Sequence, residues 1–335
     1  MALTTAQLQE AGAVAVQYIN DAIPDLLQQM NPLYKKMYER KKHIPEGATY
    51  LQFPVAYADN QAQGAISGDG SEQISLNQNQ MLTFAQLQWK YYYSNVSISE
   101  QDLVQGGDSK TAIKSLVKAK VAQGKNSFVR LMSADLFGSG LSNTKKIDGF
   151  TDIFGPSGTA YAGLNNTDVP NWFPLEDTTT QAINFSTINT MFQQLMIRSG
   201  QFPVDGLDSQ MNVDYMVSNW YVREQYMASE QIKQRYIDVK KLESGFDGIK
   251  FNGAEWHIDA NSPGSYDGST ADNKLYILSS NSMYWFYRYG FDKPCPLSTI
   301  GVVPNAPLQY NVNYSAWNIA CSDRRVNAYM SALKS

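Results

Sequence analysis

An α+β fold is predicted by three features of the sequence: one helix of about thirty residues, a pair of alternating strands before it, and a mixed run of short helices and strands after it. The helix, 108–137, is about 45 Å long, enough to cross a whole domain. Asp108 and Ser109 follow Gly106 and Gly107 and supply N-cap chemistry, while Gly138, Ser139 and Gly140 tolerate the left-handed backbone that ends a helix. Ile113, Leu116, Val117, Val121, Phe128, Leu131 and Leu136 recur mostly at three- and four-residue intervals and predict one buried stripe. Lys110, Lys114, Lys118 and Lys125 spread over an arc of about 80° at 100° per residue, so they form a basic ridge. The whole chain is formally −4, so local and global sign disagree. A ridge of this kind is either a solvated face or a surface turned toward a polyanion, which needs no sequence specificity.

Composition narrows the class. A chain of 335 residues suits one large domain or two intimately connected ones. No charged-then-apolar signal run is visible, and no eighteen consecutive residues are apolar, which argues against a membrane span. The two cysteines, Cys295 and Cys321, lack metal-ligand spacing and suit a reducing compartment. Charged residues make up 17 %, below the roughly 25 % of ordinary soluble domains. Aromatics reach 12 %, with 21 Tyr. Such a composition fits a chain that hides surface against copies of itself, because interfaces are poor in charge and rich in Tyr, Trp, Met and Arg. A Tyr-rich carbohydrate-binding protein shares it.

Before the helix, 5–30 is amphipathic, with Leu8, Ala15, Ile19, Ile23, Leu26 and Leu27 on one side and a break at Pro24. Lys35, Lys36, Arg40, Lys41 and Lys42 then form a basic cluster, which reads as a solvated face or a second polyanion contact. From His43 the pattern alternates. Leu51, Phe53, Val55 and Tyr57 share one strand face, and Leu87, Trp89, Tyr91 and Tyr93 share another. Val96 and Ile98 have the opposite parity, which predicts a bulge. Between these strands, 58–80 is rich in Gly, Asn, Gln and Ser, the composition of a loop tip. Two strands alone are marginal in water, so 43–98 must lie on its own domain or on a neighbouring subunit.

After the helix come Ile147-Asp148-Gly149-Phe150, Ile153-Phe154-Gly155, Tyr161-Ala162-Gly163-Leu164 and Trp172. Ile183, Ile188, Met191, Leu195 and Met196 predict a short helix ended by Gly200 and Pro203. Val213, Tyr215 and Val217 predict a strand, and Asn219 caps a helix from Trp220 to Tyr236. Ile249, Phe251, Trp256 and Ile258 flank Asn252-Gly253, a two-residue hairpin signal. Strands are predicted at 274–278, at the aromatic run Tyr284, Trp285, Phe286, Tyr287 and Tyr289, and from Tyr310 to Cys321.

The Asp-Gly-apolar turn, the Tyr-x-Gly-apolar segment and the downstream Trp172, in this order after a long helix, resemble the major capsid proteins of tailed bacteriophages. The order of parts agrees along nearly the whole chain. The resemblance implies the coat-protein fold first described for phage Hong Kong ninety-seven: an N-terminal arm at 1–42, an extended loop at 43–98, a peripheral domain at 99–182 carrying the spine helix, an axial domain at 183–282, and strands returning to the peripheral domain at 283–335. It also implies self-assembly into hexamers and pentamers of an icosahedral virion capsid, built in the host bacterial cytoplasm around double-stranded DNA. On that reading Phe53, Tyr57, Trp89 and Tyr91 are inter-subunit loop contacts. The ridge of Lys110, Lys114, Lys118 and Lys125, together with the 35–42 cluster, faces the genome.

Some members join subunits through a lysine on the loop. None occurs from His43 through Trp89, so a shell without that crosslink is expected. About forty residues precede the loop, too few for the scaffolding segment of about a hundred that some members carry. A separate scaffolding protein, or none, is therefore expected, with a portal and a decoration protein as further partners. Two rivals remain: an encapsulin-like compartment and a Tyr/Trp-rich glycan-binding or tail-associated module.

No catalytic, cofactor or metal residues are predicted. Only His43 and His257 are available, and His257 reads as an exposed structural residue on the Lys250, Glu255 and Asp259 side of its hairpin. The glycine pairs lack the lysine and context of a phosphate loop. Asp205, Asp208 and Asp214 do not have calcium-loop spacing.

Overall fold

The computed structural model describes residues 31–44, 49–56, 82–99, 110–156, 159–165, 169, 172–201, 213–232, 249–264, 273–288, 301–302 and 308–334. Within these, the backbone alone is described for Lys110, Lys114, Lys118, Lys125 and some others. The amphipathic stretch 5–30, the loop tip 58–80 and Cys295 lie outside them.

A first helix (Pro32–Glu39) begins at Asn31 and places Pro32 in its first turn, where a missing N–H is no loss. Strands β1 (Lys41–Ile44), β2 (Tyr50–Ala56), β3 (Leu82–Gln88) and β4 (Lys90–Ser99) lead into the long helix (Lys110–Asp135). A one-turn helix (Phe150–Ile153), β5 (Leu175–Asp177) and β6 (Gln181–Ala182) come next, and then a helix (Phe185–Gln201) and β7 (Tyr215–Ser218). Another helix (Trp220–Ile232) precedes β8 (Ile249–Phe251), β9 (Ala254–Ile258), β10 (Leu275–Leu278) and β11 (Met283–Arg288). The chain finishes with β12 (Gly301–Val302), β13 (Leu308–Cys321), β14 (Ala328–Met330) and β15 (Leu333–Lys334).

Local signals act as their chemistry dictates. Asn219 Oδ1 accepts from Val222 N–H at 3.1 Å, and Asn184 Oδ1 accepts from Thr187 N–H at 2.9 Å, so each caps the helix that follows. Asn252 and Gly253 both have positive φ, 46° and 90°, as a two-residue hairpin turn requires.

Two larger sheets organise the chain. In one, β13 is the hub: its first ten residues pair antiparallel with β4, its last five with β11, and β1 joins β11 in parallel. The other runs β5-β14-β10-β7-β9-β8. Its inner strands β7 and β10 are buried on both faces, which explains their unbroken apolar texture. One face packs Met216, Trp256 and Ile277 with Ile188, Leu195 and Val222 of the flanking helices. The opposite face gives Tyr215, Val217, Tyr276 and Leu278 to a second core shared with Phe137, Phe150 and Phe154.

Four expectations are corrected. The pair β2-β3 is two-stranded only from Tyr50 opposite Gln88 to Ala56 opposite Leu82, because after Trp89 the chain leaves to pair with β13. That departure places the parity change at Trp89 and Lys90: Trp89, Lys90, Tyr92 and Val96 are buried, while Tyr91 and Tyr93 are exposed. Leu131 is exposed, because Phe128, Val129, Met132 and Leu136 form the seam and Leu131 falls beside it. His257 is buried, because β9 lies between β7 and β8 with the first helix packed against it. Among the described residues no helix is long and apolar enough to cross a membrane.

Candidate functional site

The segments singled out after the long helix converge on its C-terminal end. Phe150 N–H donates to Leu136 O at 2.7 Å and Thr151 Oγ1 to Phe137 O at 2.7 Å, satisfying carbonyls that a helix terminus leaves open. Gly149 makes this possible by its lack of a side chain: a Cβ there would stand 2.6 Å from Leu136 O, 2.7 Å from Asp135 O and 2.8 Å from Gly138 O. Phe150 then inserts among Phe137, Phe154 and Tyr276, with ring centroids 5.3–5.5 Å away.

Three buried carboxyl groups brace the same joint. Asp135 accepts from Tyr92 Oη and Lys146 Nζ, both at 2.8 Å. Asp152 accepts from Gly140 N–H at 2.6 Å and from Ser139 Oγ. Asp148 accepts from Asn318 Nδ2 at 2.8 Å, and the same amide group also donates to Gln88 O, tying β13 to both the turn and β3. Burial pushes the Asp148 carboxyl above its ordinary pKa, opposed by the Asn318 bond and by Lys90.

Tyr161-Ala162-Gly163-Leu164 is a tight turn with φ of 52° at Ala162 and 78° at Gly163. Ala162 O accepts from Gln86 N–H at 2.8 Å, so the turn carries the β2-β3 hairpin. Tyr161 Oη donates to Ile319 O at 3.2 Å and accepts from Cys321 N–H at 3.1 Å, which anchors it on β13. Its ring and that of Trp172 each lie within 5.5 Å of the Arg324 guanidinium. Arg324 is itself buried and donates to Ile153 O at 2.7 Å, with longer contacts to the carbonyls of Asp152, Gly155 and Trp172. This arrangement is a joint in which the Arg324 guanidinium serves carbonyls of 152–155 and Trp172. Burial raises the nearby Cys321 thiol to about 12, which leaves no thiolate at neutral pH. Arg324 escaped the sequence reading because nothing distinguishes it from its neighbour Arg325.

The residues expected at surfaces divide. Lys110, Lys114, Lys118 and Lys125 stand on the long helix, and their side chains lie outside the described residues, as does Tyr57. Phe53 and Trp89 are each only 8 % exposed within the single chain, so they belong to its own interior. Tyr91 is exposed and accepts from Arg288 Nη1 at 2.6 Å. The outward groups of the hairpin are instead Tyr50, Leu82 and Phe84, the last 66 % exposed, on the face opposite Leu51, Val55, Ala85 and Leu87. Apolar groups displayed together in this way mark contact surfaces. In the 35–42 cluster, Lys36 lies 3.9 Å from Asp214, Arg40 bonds Ser280 O and Asn281, and Lys42 stacks on Tyr284, so these cations chiefly hold the first helix and β1 to the sheets. Among the described residues no group of three or more His, Cys, Asp or Glu side chains could hold a metal ion.

No family model matches the sequence, and no curated protein matches it. Solved structures do. A chain in the capsid asymmetric unit of cyanophage A-1(L) superposes with a TM-score of 0.68 at 14 % identity, covering 91 % of this chain and 93 % of that one. The capsid of the native GTA particle gives 0.59 at 13 % identity, covering 89 % and 90 %. The SrpI encapsulin of Synechococcus elongatus PCC 7942 gives 0.52 at 10 % identity, covering 87 % and 85 %. With its architecture shared over about nine-tenths of its length by such shells, the chain has the Hong Kong ninety-seven-type fold of tailed-bacteriophage major capsid proteins.

Proposed function

We propose that this chain is the major subunit of a phage head, assembling into hexamers and pentamers of an icosahedral shell around double-stranded DNA. The observation that carries the reading is the two-way coverage of about nine-tenths with a cyanophage capsid chain. On this reading the chain works by geometry and contact area rather than by turnover. The extended loop lies over the next subunit and presents the face bearing Tyr50, Leu82 and Phe84, and Tyr57 and Tyr91 are further inter-subunit contacts. The Lys110, Lys114, Lys118 and Lys125 ridge faces inward and offsets phosphate charge without reading sequence. A scaffolding protein, a portal and a decoration protein complete the assembly, which takes place in the bacterial cytoplasm.

Negative-stain electron microscopy tests assembly directly. The chain alone, or with co-expressed scaffold candidates, is expected to form closed shells or capsomer rings, and a chain lacking 58–80 is expected to lose them. Monodisperse monomers from both, with every scaffold candidate, would contradict the proposal. Neutralising the four ridge lysines to Gln is expected to shorten the packaged genome and lower the salt resistance of filled particles; unchanged values for both would remove the inward orientation. The encapsulin fold match favours one rival, an enzyme-filled compartment. Nuclease-protected DNA inside purified particles separates the two.

A further inference from the structure

The turn after β9 holds an unusual carboxylate. Asp259 is 1 % exposed. Its Oδ1 accepts from Asn261 N–H at 2.9 Å and Asn261 Nδ2 at 3.2 Å, whereas its Oδ2 is buried with no hydrogen-bond partner among the described residues. The hydroxyl of Ser262, in the same turn, is also buried without one among the described residues. Asn261 Nδ2 reaches Asn31 Oδ1 at 3.1 Å, and Asn31 Nδ2 reaches Ser133 Oγ at 2.8 Å. A chain of amide contacts therefore runs from the six-stranded sheet, through the residue that opens the first helix, to the long helix.

We propose that this turn is an acid-responsive latch: uptake of one proton by Asp259 closes it on Asn31, and loss of that proton loosens the hold on the first helix. An ionised carboxyl buried with so few donors is unfavourable, and two events relieve it. One is protonation. The other is opening of the turn to water, which breaks the Asn261–Asn31 contact.

Burial sets the direction at Asp259, opposed by its two bonds from Asn261. Asp259 acts on the Tyr215 phenol together with Glu255 of β9, Asp214 just before β7 and Glu39 of the first helix, while Glu255, Lys36 of the first helix and Arg223 of the helix after β7 act on His257. Burial raises Asp259 to about 6 from an ordinary 3.8. A raised carboxyl favours the closed turn fully below 3.8, and that contribution is lost as pH rises through 6. His257, whose ring stacks on Tyr215 at 4.9 Å, is depressed to about 4 by burial, so its contribution is present above 6.5 and lost as pH falls through 4. The two oppose each other in global unfolding, which exposes both. They separate in local opening, because Asp259 lies in the turn and His257 is held in β9.

The test is amide hydrogen exchange on the full chain from pH 4.5 to 8, corrected for intrinsic exchange and read at residues 33–40 and 259–262. Protection at both segments is expected to fall on the order of 30-fold from pH 4.5 to 8. Asp259→Asn is expected to abolish that dependence and hold protection near its acid value. Asn261→Ala keeps the carboxyl and cuts the link, so the pH dependence is expected to persist around residue 259 and vanish at 33–40. Flat protection in the parent chain, or an unchanged profile in Asp259→Asn, would overturn the latch. Should Asp259→Asn not fold, a profile at 33–40 that survives Asn261→Ala overturns it equally. None of these readouts requires that the chain assemble.

Discussion

Replacing Arg324 by Met is expected to destabilise the chain by about 3–5 kcal/mol, a large part of the total stability of an ordinary domain. The guanidinium fork serves the carbonyls of Ile153, Asp152, Gly155 and Trp172 and lies against the rings of Tyr161 and Trp172. Met fills similar space and supplies no donor, so carbonyls from two chain segments, 152–155 and Trp172, lose the Arg324 donor together. Lys at this position keeps the charge but not the planar fork, and is expected to recover less than half of the loss. Denaturant unfolding of the soluble chain measures the effect, and a loss below about 1 kcal/mol would show that the stacked rings alone hold the joint. In the assembly experiment the Met variant is expected to yield aggregate in place of shells.

Gly149→Ala is expected to cost about 3 kcal/mol, at the upper end for overpacking, because the added methyl meets three backbone carbonyls that cannot rotate away. Those carbonyls belong to the end of the long helix, so relief requires breaking the Phe150–Leu136 hydrogen bond. The cause is space and not backbone angle, since Gly149 has φ of −80°. Gly163 provides the control. An added methyl there touches nothing within 4 Å, but φ is 78°, and Ala is expected to cost only about 1 kcal/mol through strain. Equal losses at the two positions would contradict the steric account.

Much of the candidate joint was legible before any coordinates. The Asp-Gly-apolar turn and the Tyr-x-Gly-apolar segment stand out in the sequence; the first is a close-packed corner at the end of the long helix, and the second an open turn anchored on β13. Their partners were not legible. Asn318 lies 170 positions beyond Asp148, and Arg324 lies 171 beyond Ile153; no local pattern relates residues so far apart.

The sequence by itself determined what depends on neighbours a few residues away: the long helix, the Asn184 and Asn219 caps, the Asn252-Gly253 turn and the alternation of the strands. Tertiary structure alone decided which side of each alternating strand was covered. Period-two patterning separates two faces but does not say which meets the core, so Phe53 and Trp89 turned inward and Phe84 outward. It also decided that β4 would leave its hairpin for β13, and that His257 and Asp259 would be closed over by the first helix. Those outcomes rest on long-range burial, where the gain from covering an aromatic-rich sheet exceeds the local preference of any single residue.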